Sequence, residues 1–180
     1  MEKQAKEKLI IYEIAGSISV TLSAFLFHFL YEWTGENFII GLFAATNESV
    51  FEHTKIVFFP YIIYSFIEMV IIKPNNIKEF TAVKAATSIL LPVIIITGFY
   101  TYSGIIGNHY LFADIALTVI SVATAFYMSY IILSRHKISH KLYRIIYVIF
   151  FVVFILIMYF SIYPPHINLF YDYTKQIYGI

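Results

Sequence analysis

Long apolar stretches separated by short polar ones dominate the chain. A helix that spans a bilayer needs about 20 mostly apolar residues. The stretches that reach this length are residues 9–31, 50–72, 80–102, 110–133 and 143–163. A further apolar piece, residues 38–46, is too short to cross. The pattern predicts an all-α integral membrane protein, a bundle of five transmembrane helices plus one short re-entrant or interfacial segment.

Composition agrees with that class and narrows the chemistry. Of the 180 residues, 60% are apolar and 13% are charged, whereas soluble domains are about 25% charged. We therefore expect residues 1–180 to form a single membrane domain with the lipid bilayer as its partner. The formal net charge of +1 gives no reason to expect nucleic acid. Because the chain has no cysteine, a metal site would have to use histidine and carboxylate ligands.

Basic residues predict the orientation, because loops on the cytoplasmic side are enriched in lysine and arginine. They are concentrated in the N-terminal segment and in loops 73–79 and 134–144, and are absent from loops 32–37 and 103–109. This predicts a cell-membrane protein with a cytoplasmic N-terminus and a C-terminus on the outer side. His136 and His140 lie in a basic inner loop, where we expect them to meet lipid headgroups or solvent.

The polar stretch NESVFEHTK, residues 47–55, then lies at the outer end of the second span. Ser49 and Glu52 have the spacing of a capping box, so they predict a helix N-terminus. Capping does not account for Asn47, Glu48 and His53, which point to a further role for this turn.

The C-terminal segment, residues 164–180, is too apolar for a free tail and too short for a domain. We expect it to fold over the outer face and to carry His166 and Asp172 over residues 47–53.

Several ionisable residues from different segments have the same predicted depth near the outer side, as a metal or acid–base site requires. We take His28, His53, His166 and Asp114 as candidate ligands of a divalent metal, with zinc favoured. Glu48 or Glu52 is then the candidate general base. Asn47 and Lys55 complete this group in a structural or relay role.

A second ionisable group lies near the inner side. Glu68 comes four residues before the end of the second span, and Lys84 four residues after the start of the third. Their depths match, so we predict an ion pair that Glu13 can join. Both a structural pair and a proton or ion relay remain open.

The motifs NESVFEHTKIVFFP and PPHINLFYDYTKQIYG resemble those of a family of small prokaryotic polytopic membrane proteins of unknown function. Its members commonly have tryptophan where this chain has Phe51 and proline where it has Asn168. Asn47, Glu48, Glu52, His53, Lys55 and His166 match the family pattern. The resemblance covers essentially the whole chain and implies the architecture, but no activity.

Three functions fit these observations. The first is a metal-dependent hydrolase that acts on a lipid or small amphiphile at the outer interface, with the tail as a lid. The second is a solute-binding or transport module, in which Glu13, Glu68 and Lys84 would be coupling residues. The third is a structural scaffold whose polar residues only cap helices and hold the tail.

Overall fold

The computed structural model describes residues 3–135 and 138–180. Its α-helices are α1 (Lys3–Trp33), α2 (Phe38–Gly41), α3 (Val50–Ile72), α4 (Ile77–Ile106), α5 (Leu111–Arg135) and α6 (His140–Ile162). All but α2 are long and apolar enough to cross a membrane, which makes five candidate spans within the described residues. The predicted all-α membrane bundle is therefore confirmed. The expectations for His136 and for the side chain of His140 lie outside the described part.

Helix α3 is the central element of the bundle. It begins one residue after Ser49, whose Oγ accepts a hydrogen bond from the N–H of Glu52 at 3.4 Å, so the predicted N-cap at Ser49 is confirmed. The Ser49 N–H donates to Asn47 Oδ1 instead of to Glu52, so the reciprocal half of the capping box is not formed. Helix α3 packs against α1 and α4, and its apolar side chains Val57 and Tyr61 are fully buried in the main core. The residues of α3, including its charged ones, therefore contact neighbouring helices on several sides.

Helix α6 is the most peripheral of the long helices, because only 11% of its most apolar stretch is buried inside the bundle. It meets α3 mainly through phenylalanine rings, such as Phe59 against Phe154 with centroids 5.7 Å apart. A helix that is apolar all round is suited to lipid on its free faces.

The short segment between α1 and α3 enters the bundle only partly. Asn37 caps the single-turn helix α2 by accepting from the N–H groups of Ile39 and Ile40. Phe38 and Ile39 are exposed, whereas residues 44–47 are buried. Irregular backbone within a membrane is tolerated only where protein or water covers it, and here the bundle provides that cover.

The chain ends in a small folded unit after α6. A 3-10 turn (Asn168–Phe170) leads into strand β1 (Tyr171–Asp172), which pairs antiparallel with β2 (Ile177–Tyr178). The Phe170 ring packs against that of Phe51 in the first turn of α3, with centroids 4.7 Å apart. The tail therefore covers the end of the bundle at which α3 begins.

Candidate metal centre

Two antiparallel helices bring a pair of histidines together. His28 lies near the C-terminal end of α1 and His53 in the first turn of α3, and their Nε2 atoms are 3.3 Å apart. The connecting segment is tied to α1 beside this pair, because Ala45 N–H donates to the carbonyl of Phe27 at 3.2 Å. The fold therefore positions both rings from rigid helices.

Glu48 completes a three-residue group that could hold a metal ion. Its Oε2 lies 3.6 Å from His28 Nε2 and 3.5 Å from His53 Nε2. Ligand atoms around a tetrahedral zinc, with bonds of about 2.0–2.1 Å, are about 3.3–3.4 Å apart. The point equidistant from the three atoms lies about 2.0 Å from each. The group thus has nearly the dimensions of one face of a zinc tetrahedron.

The orientation of His53 suits a metal ligand. Its Nδ1 lies 2.8 Å from the carbonyl oxygen of Ser49, which can only accept a hydrogen bond. That contact puts the ring proton on Nδ1 and leaves the Nε2 lone pair free, as outer-shell hydrogen bonds of metal-bound histidines do. His28 has no such support, since its buried Nδ1 has no hydrogen-bond partner in the described part of the chain.

Two members of the group, His28 and Glu48, line a small crevice. The side chains of His28, His53 and Glu48 retain 24%, 28% and 47% of their exposure, so water and ions can reach them. The crevice has a volume of about 30 Å³ and is lined in addition by Glu32 and Lys175. That space holds about one water molecule and cannot enclose a lipid.

The C-terminal tail fixes the backbone that carries Glu48. Asp172 is fully buried, and its Oδ2 accepts from the Glu48 N–H at 2.9 Å. Asn47 donates through Nδ2 to the carbonyl of Gly179 at 3.0 Å, while its Oδ1 accepts from the Ser49 N–H. Asn47 and Asp172 therefore join the tail to the turn that presents Glu48.

Both carboxylates at this junction are held in the ionised form. The contact with His28 is the largest influence on Glu48, and with the nearby His53 it keeps the pKa of Glu48 below its usual range despite partial burial. Burial raises the pKa of Asp172, but hydrogen bonds from the N–H groups of Glu48, Lys175 and Thr174 outweigh it and leave that pKa lowered. An ionised Glu48 is the form that binds a metal ion.

Glu52 does not face the crevice, which corrects its place among the candidate bases. It is buried and forms an ion pair with Lys55, Oε2 to Nζ 2.6 Å, while also accepting from the N–H and hydroxyl of Thr46. Lys55 donates further to the carbonyl of Gly41 and to Ser161 Oγ. The pair thus joins the short segment, α3 and α6, and Glu52 serves this buried contact rather than the crevice.

Asp114 and His166 are not brought to the histidine pair, so the predicted set of ligands needs correction. Asp114 lies at the connection of α4 and α5, where Tyr102 donates to it and His109 Nδ1 lies 3.2 Å away. His166 is exposed and stacks on Tyr178, with centroids 4.5 Å apart. The prediction grouped these residues by their equal depth along the helices. Depth places them at one end of the bundle, but it does not determine their position around the bundle axis.

The inner ionisable group is assembled as its spacing predicts. Lys84 Nζ lies 2.6 Å from Glu68 Oε2 and 2.8 Å from Glu13 Oε2. The predicted Glu68–Lys84 ion pair is confirmed, and Glu13 joins it. This group lies at the opposite end of α3 from His53 and is not part of the crevice.

Lys175, which lines the crevice, was absent from the predicted site, whereas Asp172 contacts the turn at Glu48 as expected. Asp172 Oδ1 accepts from the N–H groups of Thr174 and Lys175, which forms the turn that carries Lys175 to the crevice. Lys175 Nζ lies 3.7 Å from Glu32 Oε1. The sequence Asp-Tyr-Thr-Lys has the aspartate that such a turn requires, so this signal was available.

The fold and the site define a polytopic helical membrane protein with a histidine–carboxylate group at one end of its bundle. The chain belongs to a family of unknown function, DUF6512, whose sequence profile covers residues 1–180. Neither the curated proteins nor the solved structures contain a significant match to it.

Proposed function

We propose that the protein is a metal-dependent membrane hydrolase that binds one zinc ion through His28, His53 and Glu48. The observation that carries the proposal is the near-equilateral triangle of their ligand atoms, with sides of 3.3, 3.5 and 3.6 Å. Those sides fit metal–ligand bonds of about 2.0–2.1 Å without movement of the backbone.

The ligand set favours zinc over harder ions. Two imidazoles and one carboxylate suit zinc and related transition metals, whereas calcium and magnesium prefer oxygen ligands. Three protein ligands leave the fourth position of a tetrahedral ion open, which is the arrangement of catalytic rather than structural zinc sites. The crevice beside His28 and Glu48 has room for about one water molecule.

A bound zinc would supply a water whose pKa falls to about 7 and would polarise a carbonyl or phosphoryl oxygen. With Glu48 engaged as a ligand, Glu32 is the remaining carboxylate at the crevice and takes the place of candidate base. Lys175 provides a positive charge for an anionic group. Since the crevice cannot enclose a lipid, only the polar end of an amphiphile would enter it.

The exposed face of α1 offers a place for the apolar end of such a substrate. Phe29 lines the crevice, and its ring stacks on that of Trp33 at 5.8 Å. Both side chains are exposed, and Trp33 lies at the end of the span, where tryptophan commonly marks the membrane interface. We infer that this end is the outer face of the cell membrane, with the N-terminus cytoplasmic.

The proposal is tested by metal analysis of the purified protein together with its hydrolytic activity. We expect about one zinc per chain in the wild type and a loss of zinc in His28→Ala, His53→Ala and Glu48→Gln. Hydrolysis of short-chain ester and phosphomonoester amphiphiles should fall with the zinc and return when zinc is added to the metal-depleted wild type. His109→Ala is the matched control, because that histidine also contacts a carboxylate but lies outside the group.

The other two functions give different results. A scaffold would contain no stoichiometric metal, and the same variants would change only the melting temperature. A solute-binding module would release an organic molecule on denaturation, and its zinc content would not follow these residues. Zinc binding without hydrolysis would support the metal site and refute the proposed activity.

A further inference from the structure

The group formed by Glu13, Glu68 and Lys84 is closed to solvent and unbalanced in charge. Its side chains come from α1, α3 and α4 and retain 3%, 0% and 4% of their exposure. Two carboxylates face one ammonium group. If both carboxylates were ionised, the bundle interior would carry a net negative charge, which is very costly in a medium without water.

The two glutamates differ in how well their oxygens are satisfied. Glu13 accepts at both oxygens, from Ser129 Oγ at 2.7 Å and from Lys84 Nζ at 2.8 Å. Glu68 Oε2 is at ion-pair distance from Lys84 Nζ, but the contact lacks hydrogen-bond geometry. Its Oε1 is buried and has no hydrogen-bond partner among the described residues. Glu68 is therefore the glutamate that is poorly stabilised as a carboxylate.

Lys84 is well stabilised as a cation. Besides the two carboxyl groups, the rings of Phe126, Phe80 and Tyr61 surround its Nζ, at 5.0, 5.4 and 5.7 Å from their centroids, within the range of cation–π attraction. An ammonium group in these surroundings keeps its proton, so the excess negative charge must be neutralised by a group other than Lys84.

Among the side chains that the structure describes, no other group facing the three residues can neutralise the excess negative charge. The other titratable groups that face the three residues are tyrosines, which are neutral at pH 7. Tyr61 on α3 bonds to Thr87, Tyr64 on α3 donates to the carbonyl of Tyr12, and Tyr130 on α5 lies beside Glu13 at the membrane-facing groove.

We propose that this group is a proton-binding site that holds one exchangeable proton, on Glu68. A proton needs a single oxygen lone pair, and Glu68 Oε1 supplies a free one. A sodium ion fits less well, because intramembrane sodium sites use carbonyls from unwound helix segments. Here α1, α3 and α4 run through this level as continuous helices, and Lys84 already occupies the position near both carboxyl groups.

One member of the group, Glu13, also lines a groove on the outside of the bundle. This groove between α1 and α5, about 390 Å³ in volume, is lined by Glu13 together with apolar side chains such as Ile14 and Phe126. Glu13 thus lies between the groove and Lys84, which places one carboxyl group of the site at the groove. A site of this kind is independent of the proposed zinc centre.

The test counts protonated carboxyl groups by infrared spectroscopy at pH 7 on protein in lipid nanodiscs, with glutamate carboxyl carbons isotopically labelled. Charge balance predicts one protonated glutamate in the wild type. Glu68→Gln removes it. Glu13→Gln also removes it, because one carboxylate then balances Lys84. Lys84→Met raises the number to two. Glu36→Gln, at an exposed position, is the control and leaves the wild-type signal unchanged.

Two results would overturn the proposal. One is a wild type without a protonated glutamate, or a signal that persists in Glu68→Gln. The other is a signal present in potassium buffer and lost in sodium buffer, which would show a sodium site. If Lys84→Met does not fold, the two glutamine variants, which keep the size of the side chain, still decide the matter.

Discussion

The two ends of the α1–α3 helix pair hold ionisable groups that differ in their exposure to solvent. Glu13 and His28 are 15 residues apart on α1, as are His53 and Glu68 on α3, a separation of about 22 Å along each helix. The group around His28 and His53 is partly exposed, whereas the group around Glu68 is closed. The first can exchange an ion with solvent, while the second must balance its charge internally.

This difference predicts how each end responds to substitution. A side chain that reaches water keeps much of its solvation when its partner is removed, but a closed one must either take up a proton at a cost or remain as an uncompensated charge. Substitutions near Glu68 should therefore act mainly on stability, and substitutions near His53 mainly on ligand binding.

The largest effect on stability is expected from Lys84→Met. Removal of one partner from a buried ionic group costs about 3–5 kcal/mol, so the free energy of unfolding should fall by that amount. Chemical unfolding in detergent measures it. His53→Ala in the metal-free protein should cost much less, and an equal loss for the two variants would contradict the contrast between the ends.

The next effect concerns zinc affinity and the tail. In Asp172→Asn the amide cannot accept at both former oxygen positions, so the Glu48 backbone loses support. Loss of such outer-shell support lowers metal affinity by about 10–100-fold, which competition with a chelating dye would detect. Asp114→Asn is the matched control, and an equal drop in affinity there would show a general loss of structure.

The sequence predicted the bundle, the α3 boundaries and the Glu68–Lys84 pair, because these depend on apolar length and on depth along a helix. It also pointed to His28 and His53 as ligands, and to Glu48 as a base rather than as a ligand. It did not separate them from Asp114 and His166, since the angle of each helix around the bundle axis comes from packing. Glu52 was misassigned for a related reason: packing directs its Oε2 to Thr46 and to the buried Lys55.

A smaller effect is expected from Ser49→Ala. The hydroxyl that caps α3 is lost, which costs about 1 kcal/mol, so the melting temperature should fall slightly. Zinc affinity should stay unchanged, because His53 is oriented by the backbone carbonyl of Ser49 rather than by its hydroxyl. A large loss of zinc in this variant would mean that the cap, and not the carbonyl, positions His53.

The smallest effect on stability is expected from Lys175→Met. Its contact with Glu32 joins two exposed side chains, and such pairs contribute about 0–1 kcal/mol. The melting temperature should therefore barely change. If Lys175 holds an anionic group of the substrate, the KM for a phosphomonoester amphiphile should rise while that for a neutral ester does not. A parallel rise for both would exclude that role.

The most direct test of the zinc centre is X-ray absorption at the zinc edge on the metal-loaded protein. The structure predicts two imidazole nitrogens and one or two oxygens at about 2.0–2.1 Å, with one imidazole lost in His53→Ala. A protein that retains no zinc, or whose zinc has a shell without imidazole, would contradict the account.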